Sequence, residues 1–319
     1  MKEKEYVFSY SLDNKRYHTL NFHNKTVYGG RVVKAVIDSG FTCPNKDGTK
    51  GTGGCIYCMD GSGYFTAAHG GNIYDSVQRQ LSAEKERIFK KYPDSMIIAY
   101  FQANTNTYAP VETLGSAFTA ALDFGVTGIS IGTRADCLPD DVIGLLSQLN
   151  SKTDLTVELG LQTVHDRTAV VINRCYDYRE FLSGYEKLKS AGIRTCLHII
   201  NGLPGETKTD MLDTAREVAR LHPDAVKIHL LHVNSNTALE RMYLSGEYSP
   251  LTRDEYIDIV ISQLEYLPQD IVIERITGDA DKRYLVAPKW SADKIAVLGG
   301  IDKQMKLRGT YQGIKADVM

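Results

Sequence analysis

Residues 95–132 read SMIIAYFQANTNTYAPVETLGSAFTAALDFGVTGISIG. An apolar run of strand length, Ser95–Phe101, is followed by an amphipathic segment at 111–124 and a second apolar run, Gly128–Gly132. Strand, helix and strand with short connections form the pattern of a βαβ unit, with parallel strands and a right-handed crossover. The alternation continues in both directions. Further strands are predicted at Val32–Asp38, Asp154–Gly160, Arg194–Ile200 and Ala225–Leu231, with an additional one at Asp270–Arg275. Helical patterns fall at 74–92, 139–150, 178–191, 207–221 and 253–267, and Thr207 stands as a cap before an acidic first turn. About six such units predict an α/β fold, a partial (β/α)6 TIM-like barrel over 31–275, with an N-terminal extension (1–30) and a basic C-terminal extension (276–319). Functional residues of such folds occupy the loops beyond the strands' C-terminal ends.

The composition is that of an ordinary soluble enzyme: 319 residues, 43% hydrophobic, 24% charged, net charge −2. Disordered, collagen-like and coiled-coil readings are excluded, and no internal repeat or low-complexity tract interrupts the chain. No run of about 18 apolar residues is present, and the start MKEKEYVFSY lacks a secretory pattern, so a cytoplasmic protein without a membrane partner is expected. Near-neutral charge gives no bulk argument for nucleic acid.

The six cysteines are distributed unlike a disulfide framework. Cys137, Cys175 and Cys196 are scattered and read as core or helix residues. The other three lie in DSGFTCPNKDGTKGTGGCIYCMDGSG (38–63), with eleven residues between Cys43 and Cys55 and two between Cys55 and Cys58. Glycines let this loop wrap closely around a metal centre, and the two-residue spacer brings both sulfurs inward. A four-iron cluster normally takes four cysteines; three leave one iron open to a small molecule. A structural zinc held by Cys43, Cys55, Cys58 and His69 is the alternative.

This loop resembles that of the radical S-adenosylmethionine (radical SAM) superfamily, in which three cysteines after the first barrel strand hold a [4Fe-4S] cluster. Its long spacing is similar to that of the radical SAM subunit of Elongator and its bacterial relatives, especially the YhcC-like branch. The resemblance continues in order through AYFQANTNTYAP (99–110), GISIGTRADCLPDD (128–141), ELGLQTVHD (158–166), HIINGLPGET (198–207) and VKIHLLHVNSNTAL (226–239). It implies that S-adenosylmethionine (SAM) chelates the open iron and is cleaved by one electron to methionine and a 5′-deoxyadenosyl radical. A flavodoxin or ferredoxin is then the expected electron donor. Tyr57 matches the aromatic position near the adenine. Gln102, Asn104 and Asn106 fall where relatives bond the methionine amino group, work that suits amide side chains. Glu158 and Gln162 fall where the ribose or methionine is contacted, and Asn201 and Gly202 open a loop on the adenine side. Arg134 and Asp136 either bond a carboxylate or substrate, or pair with each other. Lys227, His229 and His232 are the catalytic candidates, set against a purely structural role for the histidines.

Residues 282–315 carry eight Lys/Arg against two Asp, and residues 1–34 seven basic against three acidic. If the ends meet, they would form a basic face on which Trp290 and Tyr311 stack on bases; a solvated surface explains the same composition. The Elongator resemblance implies a tRNA substrate, most plausibly the C5 substituent of a wobble uridine, including conversion of carboxymethylaminomethyl to aminomethyl. Elongator's acetyltransferase chemistry is not expected, since the chain ends at 319. Two alternatives stand beside this: a radical SAM enzyme acting on a small metabolite or porphyrin, resembling oxygen-independent coproporphyrinogen oxidase, and a non-catalytic zinc-binding module.

Overall fold

Alternating burial along the apolar runs is realised as strands in a computed structural model, which describes residues 8–11, 13, 15–59, 72–102, 104–278 and 281–316. The strands are β1 (Val32–Ile37), β2 (Met96–Phe101), β3 (Gly128–Thr133), β4 (Asp154–Gln162), β5 (Arg194–Asn201), β6 (Ala225–Leu230), β7 (Val233–Asn234), β8 (Val272–Arg275) and β9 (Leu285–Ala287). Seven of them form a sheet in the order β1-β2-β3-β4-β5-β6-β8, and β7 pairs antiparallel with β9. The β1–β2, β2–β3, β3–β4 and β6–β8 pairings are parallel. The predicted strands and helices agree with the observed ones to within two residues. The sequence reading missed the helices Leu20–Tyr28, Asp166–Val171, Ala238–Leu244 and Lys294–Leu307, three of which are short or weakly amphipathic.

The chain divides into two compact units. One comprises Tyr28–Leu161 and Asn173–Cys196 and carries β1–β3, most of β4 and the start of β5. Its helices begin where the chain dictates. Pro110 and Pro139 precede the helices Val111–Asp123 and Asp140–Asn150, while Asp177 and Glu180 close a capping box at Tyr178–Ser190. Strand side chains separate by face with period two. Leu155, Val157, Leu159 and Leu161 are wholly buried, and Phe101 packs edge-on against helical Phe118 at 5.2 Å. The opposite face carries Lys34, Tyr100 and Glu158.

The other unit comprises Met1–Val27, Gln162–Ile172 and Leu197–Met319. Capping boxes start its helices at Lys208–Leu221 (Thr207 with Asp210) and Arg253–Tyr266 (Thr252 with Glu255). Its buried side includes Val226, Ile228, Val260, Leu264 and Ile301. Among the described residues, no helix is long and apolar enough to cross a membrane.

Candidate metal and cofactor site

The segment after β1 folds by its own backbone. Lys46 N and Asp47 N donate to Cys43 O (2.8 and 3.2 Å), Lys50 N and Gly51 N to Pro44 O (2.8 and 3.1 Å), and Cys58 N to Cys55 O (2.9 Å). Gly53 and Gly54 take φ of 76° and 72°, a region open to glycine, and Gly54 N donates to Asn45 O at 2.8 Å. The tight turn at 55–58 brings two thiols together. The neighbouring Cys58 thiol lowers the Cys55 pKa to about 6 against the opposing effect of burial; Tyr57, Arg134 and Asn45 lower it further. The Cys58 thiol is pushed up in turn, by Cys55 first and then by burial. Asn45 Nδ2 lies 3.7 Å from Cys55 Sγ. Among the described residues, no three His, Cys, Asp or Glu side chains are gathered closely enough to hold a metal ion. The donor chemistry nevertheless fits a soft iron–sulfur centre: three thiols on one glycine-bearing loop, one of them poised to ionise. His69 lies outside the described residues.

Beside the loop, Arg134 donates through Nε and Nη2 to Asp136 (both 2.9 Å), so the two pair with each other. Lys50 bridges Asp136 (2.8 Å) and Glu180 (3.0 Å). Burial opposes ionisation of Asp136, but Arg134 and Lys50 outweigh it and hold the carboxyl below its ordinary range. Two guanidinium groups lie over the Tyr176 ring, Arg134 at 4.7 Å and Arg174 at 4.6 Å from its centre. A cavity of about 800 Å³ adjoins the loop, lined by Pro44, Lys50, Tyr108, Leu138 and Lys187 among others.

The residues after β2 engage this loop directly. Asn104, with φ of 57°, donates to Phe41 O at 2.8 Å and accepts from Lys46 Nζ at 3.3 Å. Asn106 is buried and donates to Gly132 O at 3.0 Å, whereas Gln102 is exposed. Glu158, 1% exposed, accepts from Lys34 Nζ and from the Tyr100 hydroxyl, both at 2.7 Å.

In the other unit, Gln162 ends β4 with φ of 66°. Asn201 exchanges two 2.8 Å hydrogen bonds with Gln263, and Gly202 O accepts from Tyr248 at 2.8 Å, so this loop is tied to its own unit. Lys227 faces Glu274 at 3.5 Å, the rings of His198 and His229 lie 5.1 Å apart, and His232 packs against Gly278.

One expectation is corrected. Cys137 and Cys196 are buried, but Cys175 is neither core nor helix: it is half-buried with φ of 59°, and its sulfur abuts Gly51 of the metal-binding loop. Trp290 spends its N–H on Leu251 O at 3.1 Å and packs on Tyr256. Much of the terminal basic charge is likewise locally matched, Arg308 by Asp258 (2.7 Å), Lys315 by Glu265 and Lys15 by Asp302. Sequence reading missed Lys34, Tyr100, Asn45, Asn173 and Arg174. A lysine within an apolar strand was a usable signal for Lys34; the others carried none.

A parallel α/β sheet with a Cys-x-x-Cys turn beyond its first strand defines a class, and the Radical SAM superfamily model matches residues 47–218, with a Radical SAM C-terminal domain model at 223–307. The chain belongs to the radical SAM superfamily. It is 48% identical over 308 residues to the uncharacterized protein YtqA of Bacillus subtilis (96% of this chain, 94% of that protein). It is 31% identical to protein YhcC of Escherichia coli (88% and 90%). A tRNA uridine(34) acetyltransferase of Methanocaldococcus jannaschii is 27% identical over half of this chain and 29% of its own length. The solved Elp3 of Methanocaldococcus infernus aligns with a TM-score of 0.64 at 17% identity, over 88% of this chain and 64% of that one. That likeness establishes the fold as the curled, partial barrel of this superfamily.

Proposed function

We propose that Cys43, Cys55 and Cys58 hold a [4Fe-4S] cluster with SAM on its open iron, and that the chain modifies tRNA at the C5 substituent of a wobble uridine. The observation that supports the cluster assignment is the tight Cys55–Cys58 turn, closed by the backbone bond from Cys58 N to Cys55 O at 2.9 Å. Once bound and reduced, the cluster supplies the electron that cleaves SAM to methionine and a 5′-deoxyadenosyl radical. The chain's own residues do the rest. Asn104 and Asn106 offer amide groups beside the loop for the methionine end, and Tyr57 offers its ring for the adenine. Arg134 adds a positive charge near the thiols, in keeping with a centre of net negative charge. Gln102 and Glu158 are the further cofactor contacts we assign in this unit; in the other unit the resemblance assigns cofactor contacts to Gln162, Asn201 and Gly202 and catalytic roles to Lys227, His229 and His232. A flavodoxin or ferredoxin serves as reductant.

The tRNA assignment rests on the likeness to the uridine(34) acetyltransferase. Conversion of a carboxymethylaminomethyl group to aminomethyl is the reaction we favour: the 5′-deoxyadenosyl radical would take a hydrogen from the carbon between nitrogen and carboxylate, return of one electron to the cluster would leave an imine, and water would cleave it, releasing the two carbons as glyoxylate and leaving the amine. The test has two arms. Anaerobically reconstituted protein, given dithionite and SAM, is expected to yield 5′-deoxyadenosine, and Cys55→Ala none. Nucleosides of tRNA from a deletion strain are expected to change at the wobble uridine, and an unaltered profile removes the tRNA reading while leaving the radical chemistry standing.

A further inference from the structure

The segment Asn173-Arg174-Cys175-Tyr176 holds two residues other than glycine in the left-handed region, Asn173 at φ 53° and Cys175 at φ 59°. Such strain persists only where the surroundings over-determine the backbone, and it concentrates at functional sites. Here the surroundings include the metal-binding loop. Asn173 Nδ2 donates to Thr52 O at 3.2 Å and to Gly54 O at 2.8 Å. The Cys175 thiol donates to Asn173 Oδ1 at 3.2 Å, which occupies the oxygen end of the carboxamide and leaves its nitrogen turned to the loop. In the reverse direction, Asn45 Nδ2 donates to Asn173 O.

The far side of the segment is anchored as firmly. Arg134 Nη1 donates to Arg174 O at 3.0 Å, and buried Arg174 donates to Leu161 O (2.6 Å) and Tyr176 O (3.0 Å). Gly51 completes the fit, since a Cβ there would lie 2.3 Å from Asn45 Oδ1 and 2.7 Å from Cys175 Sγ. The Gly54 carbonyl shares a planar peptide unit with Cys55 N, so anchoring it fixes where the Cys55 residue begins. Without that anchor, the glycines at 51, 53 and 54 would leave the loop a wide choice of conformations.

We propose that Asn173 is a positioning residue for the metal-binding loop, its carboxamide holding the Thr52 and Gly54 carbonyls so that Cys55 and Cys58 present their sulfurs to one centre. This rests on the reading of the three cysteines as ligands. The thiol that Asn173 bonds is that of Cys175, and the asparagine acts on the ligand cysteines through the backbone.

The test compares wild type, Cys55→Ala, Asn173→Ala, Asn173→Asp and Asn173→Gly in the full chain. Asn173→Gly relieves the left-handed strain while removing the donor, so it separates the amide from the backbone conformation. Anaerobically reconstituted Asn173 variants are expected to lose iron to a chelator about tenfold faster than wild type, the order seen when support around a metal ligand is removed. The electron paramagnetic resonance spectrum of the reduced cluster shifts with them, and thermal melting confirms that they fold. In the metal-free chain, Cys55 is expected to alkylate several-fold faster in all three variants. Wild-type iron retention, spectrum and alkylation in Asn173→Asp and Asn173→Gly overturn the proposal. Iron retained by Cys55→Ala overturns the ligand reading instead; alkylation then decides the anchor alone, faster Cys55 in the variants keeping it and equal rates removing it. Should the Asn173 variants not fold, Gly51→Ala pushes on the same contact from the loop side. It is expected to release iron and expose Cys55 in the same way, and wild-type behaviour there overturns the proposal.

Discussion

Lys34 on β1 donates a 2.7 Å hydrogen bond to Glu158 on β4, and the carboxylate is fully buried while the lysine is 21% exposed. The ammonium also lies 4.8 Å from the centre of the Tyr100 ring, whose hydroxyl supplies the carboxylate's other partner. A buried carboxylate stripped of its counter-charge is costly, whereas removing both charges is far less so. Lys34→Met is therefore expected to lower stability by about 3 kcal/mol, and adding Glu158→Gln to recover most of it. Denaturant midpoints of the two variants decide the matter; equal midpoints for Lys34→Met and wild type would show that the pair contributes nothing.

Thr207 accepts from Asp210 N, and Asp210 in turn accepts from Thr207 N at 2.8 Å. This reciprocal cap satisfies two backbone donors of the helix Lys208–Leu221. Thr207→Ala should cost about 1 kcal/mol and Thr207→Ser almost none. Thermal melts of the two proteins read the difference, and identical melting temperatures would rule out the cap as a stabilising feature.

Gly184 allows the helix Tyr178–Ser190 to lie directly on the backbone at residue 135. A Cβ at Gly184 would sit 2.1 Å from Ala135 O, a contact with main chain that no rotamer relieves. Gly184→Ala is expected to destabilise by at least about 2 kcal/mol, since the helix has to move outward. Gly144→Ala, at a glycine with open space around its Cα, serves as the control and should be neutral or slightly stabilising. Loss of stability in both variants would place the effect elsewhere than in this contact.

The architecture was legible because period-two burial and helix-length amphipathic segments each carry their own signature in the chain. Runs such as Leu155–Leu161 and caps such as Thr207 needed no tertiary information. The three cysteines were legible for the same reason, since spacing and glycine content are local. Asn173 was not: it meets Thr52 and Gly54 through contacts 121 and 119 residues distant in sequence, and an asparagine in a loop carries no trace of its partner. Cys175 was misread because its spacing to the other cysteines says nothing of its packing on Gly51. The basic tail looked more strongly charged in sequence than it is in space, because Asp258 and Glu265, which offset it, lie outside the stretch that was counted.

Asp136 links the site to pH. Its carboxyl is buried, which alone would raise its pKa, yet the bidentate bond from Arg134 and the ion pair with Lys50 pull it below the ordinary carboxylate value of about 4. A carboxyl with a depressed folded-state pKa binds protons more readily when unfolded. Its stabilising contribution is therefore complete above the unfolded value and is lost as pH falls through the lower folded one. Asp136→Asn, which strands the Arg134 guanidinium, is expected to be clearly less stable than wild type at pH 7. The gap should narrow steadily below about pH 4, as the wild-type carboxyl also takes up its proton. Melting temperatures of both proteins across that range test the assignment. A gap that stays constant down to acid unfolding would mean that the Asp136 charge is not what holds Arg134 and Lys50 in place.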